Sequence, residues 1–308
     1  MSFLALLAAL LLEQGRPLSH HNWVHGNGRG WVAYCLRQLD TGRAAQANLL
    51  WLAVVVLPAV VALLVYWGLR YALGWWAGLV WEVVVLYVTV GFRQFSHHFT
   101  LIRDALNEGD ENTARQELAR WMQMDTATLP RSEIVRHVME HSILQAHRYV
   151  FGVFIAFVLC SAIGLGPAGA VLYRMAEYFK GLCSRPLKPE HPPISEAVRS
   201  RAARYWQLLD WLPARTTALG FAVVGNFEDT IASWRQHEAQ FSMDNDGVVV
   251  AATAGALNIR LGERERTANE QGLEPRTSHL QTVVGLVWRT VVLWMVLVAV
   301  LSVARWIG

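Results

Sequence analysis

The segment from Ala47 to Leu69, ANLLWLAVVVLPAVVALLVYWGL, contains no charged side chain. A helix needs about 20 consecutive apolar residues to cross the hydrocarbon of a bilayer, so this run is long enough to span it. Pro58 lacks an N–H and predicts a kink within the span. The stretch Arg70 to Gly74 is too short for a domain and reads as a tight turn. Residues 75–92 lead back across the membrane with Glu82 as their only charge. A lone acid at such depth faces a cavity or a protein partner rather than lipid. Residues 283–304 form a third span, closed by Arg305 and Trp306 as interfacial anchors. The composition agrees: 54% of residues are apolar and 17% charged, against about 45–50% and about 25% in soluble domains. The excess sits in blocks, as membrane spans do, and a single large soluble core does not account for it.

Charge orients the spans. The net charge of +3 comes almost wholly from arginine, since Lys180 and Lys188 are the only lysines. The segment 13–46 carries Arg16, Arg29, Arg37 and Arg43, and the segment 93–148 carries Arg93, Arg103, Arg115, Arg120, Arg131, Arg136 and Arg148. Two spans separate them, so both fit the cytoplasmic side under the positive-inside rule. The segment 174–204 is equally basic, with Arg174, Lys180, Arg185, Lys188, Arg199, Arg201 and Arg204. Between them lies YVFGVFIAFVLCSAIGLGPAGAVLYR, interrupted at Gly164, Gly166 and Pro167. One crossing there would place the last basic segment outside. A re-entrant helical hairpin broken at the Gly-Pro element is therefore favoured over a plain span followed by another at 206–225.

The water-facing part reads as helical. Phe95, Phe99, Ile102 and Leu106 recur at helical spacing, Leu118, Trp121 and Met122 continue on a following helix, and Asp110 after Gly109 supplies an N-cap. Residues 184–196 form a Pro-rich linker and residues 263–279 a mobile polar loop. Ser2 to Leu12 is apolar without a basic leader or a small-residue cleavage site, which suits a retained membrane segment better than a signal peptide. Cys35, Cys160 and Cys183 make no CxxC or metal spacing and read as free thiols. No basic stripe with interleaved aromatics marks a nucleic-acid binder.

Two short motifs carry candidate chemistry. His137, Glu140 and His141 spell HVMEH, the pattern of inverted zinc peptidases, but no third ligand is placed and a helix face without metal is the better reading. His20, His21, His25, His97 and His98 read as interfacial or capping residues. In LLDWLPAR, Asp210 and Arg215 flank Pro213 at a membrane boundary. They read as a charge pair closing a helix start, or as an arginine aimed at a phosphate or carboxylate.

In order and spacing, these elements resemble the CobD/CbiB superfamily of inner-membrane proteins over most of the chain. The likeness runs through Gly109-Asp110 with Ala114-Arg115, Asp125-Thr126, Glu140, GPAGAVLYR from Gly166 to Arg174, PAR from Pro213 to Arg215, Asn245 with Gly247, and AGALNIRLG from Ala254 to Gly262. One branch, adenosylcobinamide-phosphate synthase, joins aminopropanol phosphate to a corrinoid carboxylate with ATP and a divalent cation. The other, AmpE, is linked to β-lactamase induction and cell-wall sensing. Amide formation implies carboxylates for the metal and cations for the phosphates. The cations persist as Arg115, Arg174, Arg204 and Arg215. Most acids of the synthase pattern are replaced, by Leu144, Gln145 and Arg148 after Glu140, by Lys180 after the YR element, by Trp206 and Gln207 before PAR, and by Val250 before AGAL. LDWLPAR looks like AmpE, whereas AGALNIRLG looks like the synthases.

The sequence thus predicts an all-α polytopic membrane protein with about four to five transmembrane or re-entrant segments and a helical cytoplasmic portion. Its expected parts are an N-terminal apolar segment and basic loop (1–46), a transmembrane hairpin (47–92), cytoplasmic helices (93–148), a broken or re-entrant pair (149–182), a cytoplasmic linker with both motif regions (183–282) and a C-terminal span (283–308). The resemblance implies a bacterial inner-membrane, AmpE-like signalling or accessory protein. The alternative is the synthase, and only there would ATP and magnesium enter; otherwise neither cofactor nor metal is expected. Asp125, Glu140, Arg174, Asp210, Arg215 and Asn245 are expected to converge in one anion-binding pocket. Expected partners are the lipid bilayer and an anionic small molecule or an envelope-sensing protein, with no nucleic acid.

Overall fold

The computed structural model describes residues 2–15, 23–184, 194–241, 243–262 and 272–307. The basic linker around Pro189 and the polar stretch 263–271 lie outside the described residues, as do His20 and His21. The chain is all-α: the described residues form helices and a single isolated bridge between Ile259 and Leu273. Three helices, Ala44–Leu73, Arg131–Ala162 and Thr277–Ala304, are long and apolar enough to cross a membrane. Only 33% of the apolar window in the first is buried within the protein. Leu49, Leu52, Leu57, Val61 and Leu64 point outward, a face that water would not stabilise and lipid does.

The chain folds as two compact units. The first contains α1 (Ser2–Gly15), α2 (Trp23–Leu39), α3 (Ala44–Trp51), a π turn (Leu52–Val56), α4 (Leu57–Leu73), α5 (Trp75–Thr89), α9 (Gly152–Ala162), α10 (Ala168–Ser184) and the part of α11 (Glu196–Val224) up to Asp210. Pro58 does not break the first span. The π turn just before it lets the Leu57 N–H reach the Leu52 carbonyl, so the helix widens where proline removes a donor. Segment 2–12 is helical and buries Ala5, Leu6, Ala9 and Leu10, with α1 packed on α5. Glu82 is buried and hydrogen-bonds Tyr66, so the lone acid faces protein, as expected.

The Gly-Pro element does break the helix, and it makes a tight hairpin. Gly164 and Gly166 both take positive φ, 83° and 52°, which favours glycine. Beyond the turn α10 packs back on α9. A Cβ at Gly169 would collide with the Ala156 carbonyl oxygen, and one at Gly152 with the Tyr173 hydroxyl. The two helices therefore touch through glycine from each side, as close helix pairs in membranes do.

The second unit contains α6 (Phe92–Glu108), α7 (Glu111–Met122), α8 (Arg131–Ala146), a π turn (His147–Phe151), α11 from Trp211, α12 (Phe227–Gln240), α13 (Asn245–Leu257) and α14 (Thr277–Ile307) as far as Leu301. Helices α6, α7 and α8 pack mutually and bury Phe99, Ile102, Leu106, Leu118, Ile134 and Val138. Asp110 caps α7 as the sequence predicts, accepting from the Thr113 N–H at 3.0 Å and its hydroxyl at 2.6 Å. In the α12–α13 pair, Gly255 lies against the Asp229 backbone, where a Cβ would collide. Asn258 ends α13 in the left-handed region with φ 53°, a position asparagine tolerates.

Two outcomes follow. Gly169→Ala should destabilise the solubilised protein by about 1–3 kcal/mol through overpacking. Gly181→Ala, at a position on the same helix open to space, should stabilise it by roughly 0.5–1 kcal/mol; thermal unfolding in detergent reads both. The Thr113 hydrogen bonds hold the Asp110 carboxyl below its ordinary range. Its contribution is therefore complete above the unfolded-state carboxylate range, near pH 4, and lost as pH falls through the lower folded-state value. Asp110→Asn should flatten the pH dependence of stability in that acid window.

Candidate functional site

The polar chemistry of the second unit gathers at the start of α13. Asp244 is the N-cap, accepting from the Gly247 N–H at 3.1 Å, and His237 on α12 approaches its other carboxylate oxygen at 3.2 Å. A Cβ at Gly247 would collide with the His237 ring, so the glycine two residues after Asn245 is needed for this approach. The next two residues receive arginines. Asn245 accepts from Arg215 Nη1 at 3.0 Å, and Asp246 accepts from Arg148 Nη2 at 2.5 Å.

Arg215 is held on several sides. Besides Asn245 it donates to Glu238 on α12 and, at 3.1 Å, to the Trp211 carbonyl. Its guanidinium carbon lies 4.4 Å from the Trp211 ring centroid. The four-residue spacing in WLPAR sets indole and guanidinium on one helix face, where a cation–π contact forms. Only 9% of Arg215 is exposed, so pairing is obligatory: a buried guanidinium without partners costs several kcal/mol. Nearby, the π turn carries Arg148 and the fully buried His147, whose Nδ1 lies 3.0 Å from the Thr217 hydroxyl. Short π segments recur at functional sites.

The other expected site residues are placed differently. Glu140 accepts from Arg136 at 3.0 Å and from the Gly262 N–H at 2.7 Å, while Arg136 also donates to the Gly262 carbonyl at 3.1 Å. The pair clamps the end of AGALNIRLG, where Gly262 has φ 97°. His141 stands edge-on to Trp121 at 4.6 Å and within 3.2 Å of Gln145. HVMEH therefore works as a packing element of α8. Asp125 is exposed and accepts from the Ala127 N–H at 3.0 Å in the turn after α7. In the first unit, Asp210 is fully buried and accepts from the Tyr173 hydroxyl at 2.6 Å, and Arg174 donates to Glu177 at 2.9 Å. Of the six residues, contacts join Arg215 to Asn245, and the others are each engaged with their own neighbours.

Arg148 stands where the synthase pattern carries an acid. Its charge is balanced by Asp246, and that of Arg215 by Glu238. These acids come from α12 and α13, far along the chain, and comparing each motif with itself misses them. The available signal was the run Asp244-Asn245-Asp246-Gly247, an N-cap pattern with a surplus acid. Among the described residues no group of three or more His, Cys, Asp or Glu is placed to hold a metal ion.

Helices long and apolar enough to cross a membrane, together with this arginine–carboxylate node, define an α-helical membrane protein. The sequence model of the family described as CobD/Cbib protein matches residues 2–284, and the chain belongs to this family. It is similar to the cobalamin biosynthesis protein CobD of Stutzerimonas stutzeri (strain A1501), 28% identical over 322 residues that cover 95% of each chain. The protein of the same name from Chromobacterium violaceum is 29% identical over 310 residues, covering 95% of this chain and 94% of the relative. That of Leptospira interrogans serovar Lai is 29% identical over 66% of this chain and 63% of its own length. No solved structure matches the chain.

Removing the Tyr173 hydroxyl isolates one buried contact. Tyr173→Phe should cost about 1–3 kcal/mol, the range for leaving a buried hydrogen-bonding group without its partner. In a double-mutant cycle with Asp210→Asn on thermal stability, the two losses should be markedly less than additive.

Proposed function

We propose that the chain acts in cobalamin biosynthesis, in the step that joins an aminoalkyl phosphate to a corrinoid carboxylate, and that its basic loops face the cytoplasm of a bacterial inner membrane. The observation that carries this reading is similarity over nearly the full length of two relatives named for cobalamin biosynthesis. Of the two functions that the sequence suggests, the comparisons favour this one over envelope signalling. The anion site is assigned to Arg215 and Asn245. Arg215 is a fork donor suited to phosphate, and Glu238, with 38% of its side chain exposed, is the partner an incoming phosphate would displace.

The reaction class consumes ATP with a divalent cation, and the donor set does not fit a protein-built magnesium site. Asp246 is committed to Arg148, and among the described residues no group of three or more His, Cys, Asp or Glu is placed to hold a metal ion. The chain's own part is therefore drawn as binding and orienting the phosphate-bearing amine. This charge pattern, together with LDWLPAR, supports a second reading: an AmpE-like envelope protein that keeps the pocket without the chemistry.

The protein in proteoliposomes, given adenosylcobyric acid, aminopropanol phosphate, ATP and magnesium, should form the amide, and Arg215→Ala should abolish product. The Stutzerimonas stutzeri relative serves as a parallel control. Absence of product from this chain, where that control yields it, would reject the synthase reading and leave the envelope reading in its place.

A further inference from the structure

Two turns of the first unit meet at one level. Trp67 donates its indole N–H to the Gly164 carbonyl at 3.3 Å. Gly166 lies so close to the Tyr66 ring that a Cβ would stand 2.9 Å from it. The Gly-Pro turn is thereby fastened beside the end of the apolar run 47–69. From there α10 returns along α4 and also packs against the π turn Leu52–Val56, near the start of that run. Its 17 residues extend about 25 Å at 1.5 Å per residue, close to the roughly 30 Å of bilayer hydrocarbon. A helix that touches both ends of a span is itself at both depths.

Around the two turns Trp67, Tyr71, Leu73, Trp75, Trp76 and Ile163 are exposed, Tyr71 to 95%. Arg70 is the only charge among residues 67–76 and 161–167, and its Nη1 reaches back to the Tyr66 hydroxyl at 2.9 Å. Tryptophan and tyrosine beside apolar side chains favour the headgroup layer, where a ring is half in lipid and half in water. α10 itself carries Arg174, Glu177 and Lys180, the first two paired at 2.9 Å; a complete crossing by α9 and α10 returns the rest of the basic segment, from Arg185 to Arg204, to the side of 13–46 and 93–148, so the positive-inside rule is met without a re-entrant loop.

We propose that these side chains form an aromatic cap seated in the bilayer interface opposite the basic segments, and that the α9–α10 hairpin crosses the membrane completely. The occupant of this surface is lipid: the exposed rings surround the ends of two spans, with almost no charge to select a protein partner.

Single cysteines test the crossing, in a full chain whose Cys35, Cys160 and Cys183 are replaced by alanine. In right-side-out vesicles treated with a membrane-impermeant maleimide, Tyr71→Cys and Ile163→Cys should label as fully before permeabilisation as after it. Glu196→Cys, in the basic segment, should label only after permeabilisation. Labelling of Ile163→Cys only after permeabilisation, beside outside labelling of Tyr71→Cys, would indicate a re-entrant hairpin and overturn the proposal. So would labelling of all three from one side. If Ile163→Cys does not accumulate, Ala162→Cys reads the same turn. For the cap, lipids brominated near the headgroup should quench tryptophan fluorescence less in W75F/W76F than in the parent. Equal quenching would place the rings out of lipid and refute the cap.

Discussion

A guanidinium removed from water must meet carboxylates and carbonyls or leave the fold, and much of the second unit is arranged by that demand. Arg215 is nearly enclosed, and its donors are taken by Asn245, Glu238 and the Trp211 carbonyl while its face lies on the Trp211 ring. Arg148 has Asp246, and Arg136 is held between Glu133 and Glu140. The Arg215 and Arg148 pairings link separate helices, whereas those of Arg136 lie within α8; a guanidinium left buried without a partner would destabilise the fold. The N-terminus of α13 is the meeting point because its cap residues bring Asp244, Asn245 and Asp246 together within one turn.

Small residues set the second constraint. Gly152 and Gly169 allow α9 and α10 to touch, and Gly255 does the same for α12 and α13. Gly166 seats the Gly-Pro turn on Tyr66. Several motif positions that look catalytic when read as a family pattern are thus explained by packing. Tyr173 and Gly262 belong with them: the first lies over Gly152 and donates to Asp210, the second is clamped by Glu140 and Arg136. Such contacts bring helices close enough for dispersion to act where lipid offers little hydrophobic drive.

Legibility differed by feature. The spans at 47–69 and 283–304 were readable because uninterrupted apolar length is itself the physical requirement. The Asp110 cap was readable because its hydrogen bonds lie within three residues. The Gly164–Pro167 break was readable for the same local reason. The π turn just before Pro58 was not readable, since no residue signals it in advance. The partner of Arg148 was not readable because Arg148 and Asp246 stand 98 positions apart.

The sequence by itself determined that this chain is a helical membrane protein of recognisable kinship, since apolar length, charge asymmetry and short-range caps act along the chain. Only the tertiary structure decided which charges neutralise which. Ion pairing depends on distance in space, and α11, α12 and α13 come together through glycine contacts and caps whose combined geometry no single motif encodes. The same holds for α10, whose place is set by packing against α4, α5, α9 and the π turn Leu52–Val56.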